Sequence, residues 1–131
     1  MLNYRNEAFF SNALVKALRS KGWFVQRIES GQVGRGIPDI FAISPVRNVP
    51  IWLELKREHT SCTRASYVEI HWRPGQQAWL NEVSERGVKT YTIACFNDGI
   101  LQIPHNTIYT HNLVHLDESI LYYKDIKELV K

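Results

Sequence analysis

Pro38-Asp39 is followed fifteen residues later by Glu54-Leu55-Lys56, and both stretches lie in short apolar runs suited to strands. In a strand, successive side chains alternate faces, so Glu54 and Lys56 project to one side and Leu53 and Leu55 to the other. The leucines can pack against a helix and leave the acid and the base on a polar face. Asp39 opens the neighbouring strand, from where its carboxylate can reach toward Glu54. Two converging carboxylates repel each other, which raises a proton affinity or invites a divalent cation. Oxygen ligands of this kind suit Mg²⁺ or Mn²⁺, and the backbone carbonyl of Leu55 could add one more. Lys56 is placed to orient or deprotonate an attacking water and to neutralise charge developing on a phosphate. The chemistry such a set would perform is metal-assisted phosphodiester hydrolysis. A plainer reading makes Glu54 and Lys56 a surface ion pair and Asp39 a turn cap. Against it, the flanking apolar strands predict a buried, central position where unpaired charges are costly.

The elements that must hold these residues follow from periodicity. Residues 5 to 21 read as a helix, with Phe10, Leu14, Ala17 and Leu18 at three- and four-residue steps and Gly22 as a stop. Trp23 to Ile28, Asp39 to Ser44 and Ile51 to Lys56 read as three strands. Ser30 to Gly36, with three glycines, is a loop. Pro74 suits the start of a second helix, which runs to about Glu85 with Trp79, Leu80 and Val83 inward and Gly87 closing it. Lys89 to Phe96 is a strand, and Asn97-Asp98-Gly99 turns the chain into Ile100 to Ile103. The tail from Asp117 is expected to hold one or two short helices capped by Asp117 and Asp125. The order predicts an α/β fold, a mixed sheet flanked by helices.

The chain of 131 residues, 44% apolar, fits one ordinary globular domain, expected to span residues 1–131. No apolar run approaches the ~20 residues that cross a bilayer. The N-terminus lacks the basic-then-apolar order of a secretory signal. Cys62 and Cys95 are too few and too far apart for zinc or a disulfide framework. A reducing, cytoplasmic location is the default expectation, and the compactness suggests a phage or mobile-element origin. Net charge is +3 and the pI about 9.0, compatible with a phosphate-backbone partner but not diagnostic of one.

Gly36-Ile37-Pro38-Asp39, an intervening hairpin, then Glu54-Leu55-Lys56 resembles the PD-(D/E)XK nuclease superfamily. More narrowly, it resembles the VRR-NUC group and the archaeal Holliday-junction resolvases. In those proteins a glutamate of the first helix completes the acidic cluster, and Glu7, fifteen residues before Gly22, stands in a comparable place. They also carry a glutamine near the start of the helix after the lysine strand, where this chain has Arg73-Pro74-Gly75-Gln76. The resemblance covers roughly Glu7 to Phe96. It implies a restriction-endonuclease-like fold, an α-β-β-β-α-β core with a four-stranded mixed sheet, followed here by a C-terminal strand and helix. It also implies Mg²⁺ or Mn²⁺ dependence and action on DNA, often branched, by a homodimer. The expected catalytic set is Asp39, Glu54, Lys56, Glu7 and Gln76, with Asp39, Glu54, Glu7 and the Leu55 carbonyl as metal ligands. Two members have blander alternatives. Gln77 could replace Gln76, and Glu7 could simply complement the helix dipole.

Nineteen residues separate Lys56 from Gln76, more than in compact members of the group. The insert carries Arg57, His59, Arg64, Tyr67, Trp72 and Arg73. It reads either as a DNA-contacting flap, basic groups on phosphate and an aromatic on an unpaired base, or as a surface hairpin or dimer contact. Arg35 in the glycine loop joins Arg57, Arg64 and Arg73 as candidate DNA contacts. His105, His111 and His115 lack a partnering metal pattern and are expected to be ordinary loop residues, and Trp23, Trp52 and Trp79 to be core or interface. The expected activity is a DNA endonuclease on branched substrates such as Holliday junctions. Alternatives are an end-trimming or linear-duplex nuclease of the same fold, or a non-catalytic nucleic-acid-binding module.

Overall fold

Asn6 starts the first helix by accepting the N–H of Phe9 on its side-chain oxygen at 3.1 Å, which satisfies one of the free donors of the opening turn. This helix, α1 (Glu7–Ser20), buries Phe10, Leu14, Val15 and Leu18 along one stripe. Gly22, at φ 87°, ends it by bonding back to the carbonyl of Arg19 while Trp23 bonds to that of Leu18. The computed structural model describes residues 2–28, 36–105 and 112–131. Most of the glycine loop, Arg35 included, and His111 lie outside these residues.

Strands β1 (Phe24–Arg27), β2 (Ile40–Ile43) and β3 (Pro50–Arg57) form an antiparallel meander. After β4 (Tyr67–Glu69) and helix α2 (Gln76–Glu85), β5 (Lys89–Phe96) returns parallel to β3, the crossover that a helix-containing connection permits. A hairpin at Asn97 and Asp98 leads into β6 (Gly99–Pro104). The chain ends with β7 (Leu113–His115), β8 (Leu121–Tyr123) and α3 (Ile126–Leu129), the last capped by Asp125. The main sheet has the order β1-β2-β3-β5-β6-β8, mixed in direction, while β4 and β7 pair as a separate ribbon. This is the mixed α/β architecture expected from the sequence, with three differences.

First, the sheet has six strands among the described residues, because β8 joins the four core strands and the expected C-terminal strand. Second, the tail is not purely helical. Leu121–Tyr123 pairs with the β6 edge, and Asp117 caps only a turn at Ser119. Third, the insert is folded into the body. Glu58 N–H reaches Cys95 O, Asn97 N–H reaches Thr60 O, and the Asp98 carboxylate accepts the N–H groups of Cys62 and Thr63.

Two apolar layers sandwich the sheet. Helices α1 and α3 cover one face, where Leu53 and Leu55 pack with Val25, Ile40, Ile93 and Ile100. The insert and the ribbon cover the β5–β6 end of the other face, through Cys62, Ile70, Trp72, Phe96, Ile103 and Val114. Beside that second layer, on the same face, stand Glu54 and Lys56.

Candidate active site

β3 lies third in the six-stranded sheet, flanked by β2 and β5, and its alternation buries both charged side chains of the tripeptide. Glu54 is 1% exposed and Lys56 4%. Such burial is tolerable only with partners at close range. Lys56 Nζ stands 3.3 Å from Glu54 Oε2 and donates to Gln76 Oε1 at 2.9 Å. Gln76 Nε2 donates to Glu54 Oε2 at 3.0 Å, and its carbonyl also takes the Arg73 N–H at 2.7 Å. The Gln76 amide thus ties the first turn of α2 to the acid and the base together. Gln76, the first of the two adjacent glutamines, meets both Glu54 and Lys56.

Asp39 lies one residue before β2, where the β2–β3 ladder runs out. Its Oδ2 accepts the Leu55 N–H at 2.9 Å and so continues the ladder with a side chain. Gly36 sets up this approach. At φ 85° it packs on Gly75, so that a Cβ there would fall on the Gly75 carbonyl and press on Trp79. Glu7 arrives from the opening turn of α1. One oxygen each from Glu7, Asp39 and Glu54 lie within 4.8 Å of one another.

Burial, and then the Asp39 carboxylate, push the Glu54 carboxyl up to about 8, against the pull of Lys56. Glu7 is raised too, first by burial, with Lys56 and Arg73 opposing and Asp39 reinforcing. Glu54 Oε1 is buried with no hydrogen-bond partner among the described residues. A buried carboxylate oxygen left bare beside two further carboxylates fits a hard divalent cation, which would supply the missing positive charge. The donor set, all oxygen, suits Mg²⁺ or Mn²⁺ better than a thiophilic metal.

The candidate arginines are dispersed. Arg73 shares with Glu7 and Lys56 the groove at the mouth of this cluster. Arg57 turns inward and spends most of its donors on Tyr4 O, Glu58 O, Cys95 O and Asn97 Oδ1, clamping the N-terminal segment to the β5–β6 turn. Arg64, at φ 63°, lines a separate depression with Cys62, Leu101 and Tyr122. Trp72 is buried and donates from its indole to Thr92 Oγ1 at 3.0 Å, so it offers no stacking face, whereas Tyr67 is exposed. His105 lies in the bend just past β6, as expected of a loop residue, but is buried 2.7 Å from the Thr92 hydroxyl, whereas His115 sits in β7 and not in a loop. Trp52 and Trp79 join Phe24 and Phe41 in a continuous aromatic stripe across β1, β2, β3 and α2. The sequence reading missed Glu58. It extends the face of Glu54 and Lys56 by one more alternation, and its carboxylate holds His71 through two bonds.

The fold is similar to that of Hjc, a Holliday junction resolvase from the archaeal hyperthermophile Archaeoglobus fulgidus. The TM-score is 0.62 and the identity 17%, over 95% of this chain and 99% of that one. No family model and no curated protein matches the chain. Among the described residues no helix is long and apolar enough to cross a membrane.

Proposed function

We propose that the chain is a metal-dependent DNA endonuclease, one domain over residues 1–131, that hydrolyses phosphodiester bonds of branched DNA such as Holliday junctions. The observation that carries this reading is the convergence of Glu7, Asp39 and Glu54 beside a lysine held by Gln76. The likeness to a resolvase fold supports the branched substrate. The narrower kinship with the VRR-NUC group rests on the Gly36-Ile37-Pro38-Asp39 and Glu54-Leu55-Lys56 motifs alone.

Mg²⁺ or Mn²⁺ would be held by Glu7, Asp39, Glu54 and the Leu55 carbonyl. When bound, the ion supplies Lewis acidity toward a phosphoryl oxygen and an acidified water. Lys56 faces the same cluster as an ammonium ion. It orients the attacking water and offsets the charge that builds on the phosphate. Gln76 keeps that ammonium from swinging away, and Asp39 fixes the strand end from which Glu54 projects. Arg73, together with Arg35 and Arg64, contacts the backbone of the duplex arms. A homodimer would set two such sites on opposite strands of a junction. The aromatic stripe ending at Phe24, 55% exposed on the β1 edge, supports a self-association face. The protein works inside the cell, where its substrate is.

Cleavage of four-way junction, flap and linear duplex in Mg²⁺ tests this reading. Preferential cutting of the branched substrates, abolished in Glu54→Ala with DNA binding retained, is expected. Equal, slow nicking of every substrate would defeat the branched-DNA assignment in favour of a linear-duplex or end-trimming nuclease. No cleavage together with no saturable Mn²⁺ binding would leave only a binding module. Sedimentation gives the oligomeric state.

A further inference from the structure

The groove that opens onto Glu7, Lys56 and Arg73 also holds a second charged pair, Glu58 and His71. Glu58 continues β3 past its last ladder residue through its N–H to Cys95 O at 2.9 Å, so its side chain follows Glu54 and Lys56 on the same face. It is 6% exposed. Both its oxygens go to one residue: Oε2 accepts the His71 N–H at 2.7 Å, and Oε1 stands 2.6 Å from His71 Nδ1. A buried carboxylate bound in this way favours the cationic ring, and it fixes the ring by one nitrogen so that the other is presented outward. The His71 side chain is 66% exposed, and among the described residues its Nε2 has a loose contact, 3.4 Å, with the exposed Glu69 on β4.

We propose that the groove is a second phosphate subsite, in which the His71 imidazolium, aimed by Glu58 and flanked by Arg73 and His59, holds a DNA backbone phosphate that is not the one being cut. This rests on the DNA-cleaving reading above. The charges facing the ring are Glu58 from the end of β3, Glu69 from β4 and Lys56 from β3, and Glu7 of α1 lines the same groove. The hydrogen bond and charge of Glu58 dominate and raise the pKa of His71 above its ordinary value, with Glu69 adding and Lys56 opposing. The ring is therefore cationic at lower pH and loses its charge as pH rises through that raised value. DNA binding inherits the same sign. The Glu69 contact is solvent-exposed and screened, so an incoming phosphate can displace it.

Anisotropy of labelled four-way-junction DNA bound to the full chain in EDTA, from pH 5.5 to 8.5, compares wild type with His71→Ala and Glu58→Gln. At low pH wild type is expected to bind about tenfold more tightly than His71→Ala, the worth of one charge-assisted contact. The advantage should vanish as pH rises, and the slope of log K against log salt should be shallower in His71→Ala by about one phosphate's share. Glu58→Gln should move the loss of the advantage to lower pH. The His71 ring proton resonance, followed by NMR, should titrate above its ordinary value and shift further upward on adding DNA. Equal affinity, salt slope and pH profile in wild type and His71→Ala overturn the subsite, as does a ring resonance indifferent to saturating DNA. Mg²⁺ cleavage run in parallel separates the two ideas. Cleavage by wild type at pH 5.5 and sub-saturating DNA, with His71→Ala indistinguishable from it, sinks the subsite alone. His71-dependent binding without cleavage of any DNA supports the subsite and sinks the nuclease.

Discussion

Gln76 Nε2 donates to Glu54 Oε2 across 3.0 Å, linking the first turn of α2 to the middle of β3. The other end of the same amide accepts from Lys56 and from the Arg73 backbone, so three bonds fix which way it points. An amide can serve an acid and a base at once because it carries an acceptor and a donor on one planar group.

Replacing it tests what that bridge does. Gln76→Ala leaves the buried Lys56 ammonium without its hydrogen-bond acceptor and frees the Arg73 N–H. A stability loss of about 1–3 kcal/mol is expected from the uncovered groups. Cleavage should fall by roughly 10- to 100-fold with KM little changed, as for a group that positions the reacting residues. Melting curves and single-turnover rates give both numbers. Wild-type rates in the variant would reduce Gln76 to a helix-start residue.

Glu54 predicts a pH signature. Its carboxyl is raised to about 8 in the folded chain, above the ordinary carboxylate range. Between that range and pH 8 the folded state holds a proton that the unfolded state has released, so metal-free stability falls as pH rises across this window. Glu54→Gln should flatten that fall, and the difference between the two melting profiles isolates it. Mn²⁺ should raise the wild-type Tm more at pH 8 than at pH 6, because at lower pH the ion must displace a proton. It should barely move the variant. A wild-type profile parallel to that of Glu54→Gln, with equal Mn²⁺ response, would contradict both statements.

The sequence made these residues legible because a strand's period of two is a local rule. Asp39, Glu54 and Lys56 follow from alternation and a turn, and Leu53 and Leu55 face α1 as alternation requires. Gln76 and Gln77 could not be separated locally, since only the depth of α2 against the sheet decides between them. Arg57 and Trp72 were harder for the opposite reason. A charge and an aromatic in a polar insert suggest solvent and ligand, yet Arg57 meets backbone carbonyls and Trp72 meets Thr92, both long-range contacts. Leu121–Tyr123 is a strand only because the β6 edge is there to receive it. The Glu58–His71 pair joins the end of β3 to a residue past β4, a closure with no signature in either segment alone.

Gly36 carries a prediction about the approach of Asp39. With φ at 85° and the Gly75 carbonyl where a Cβ would go, Gly36→Ala is strained both in its own backbone and against α2. A cost of about 1–3 kcal/mol is expected, and the Asp39 segment should shift away from Leu55. Activity should drop more steeply than stability, because a displacement of about 1 Å at a reacting group costs on the order of 100-fold. Gly87→Ala is the control. Its φ is 89° but nothing among the described residues lies within 4 Å of a Cβ there, so it should show the backbone strain without the loss of activity. Comparable activity losses in the two variants would remove the argument from close approach.

His105 predicts the behaviour of the fold in acid. Burial lowers it to about 4, and its Nε2 lies 2.7 Å from Thr92 Oγ1, which also accepts the Trp72 indole N–H. The Thr92 hydroxyl, with one proton and two lone pairs, can serve both rings at once. The unfolded chain protonates this histidine near pH 6.5 and the folded chain only near 4. Its contribution is therefore complete above pH 6.5 and is lost as pH falls toward 4, at most about 3 kcal/mol. His105→Gln should be less stable at pH 7 but lose less on acidification, so the two profiles converge. Trp72 emission should report the transition, since its indole partner Thr92 is shared with the ring. If His105→Gln and wild type lose stability in parallel between pH 6.5 and 4, the Thr92 bridge does not set the protonation state of His105.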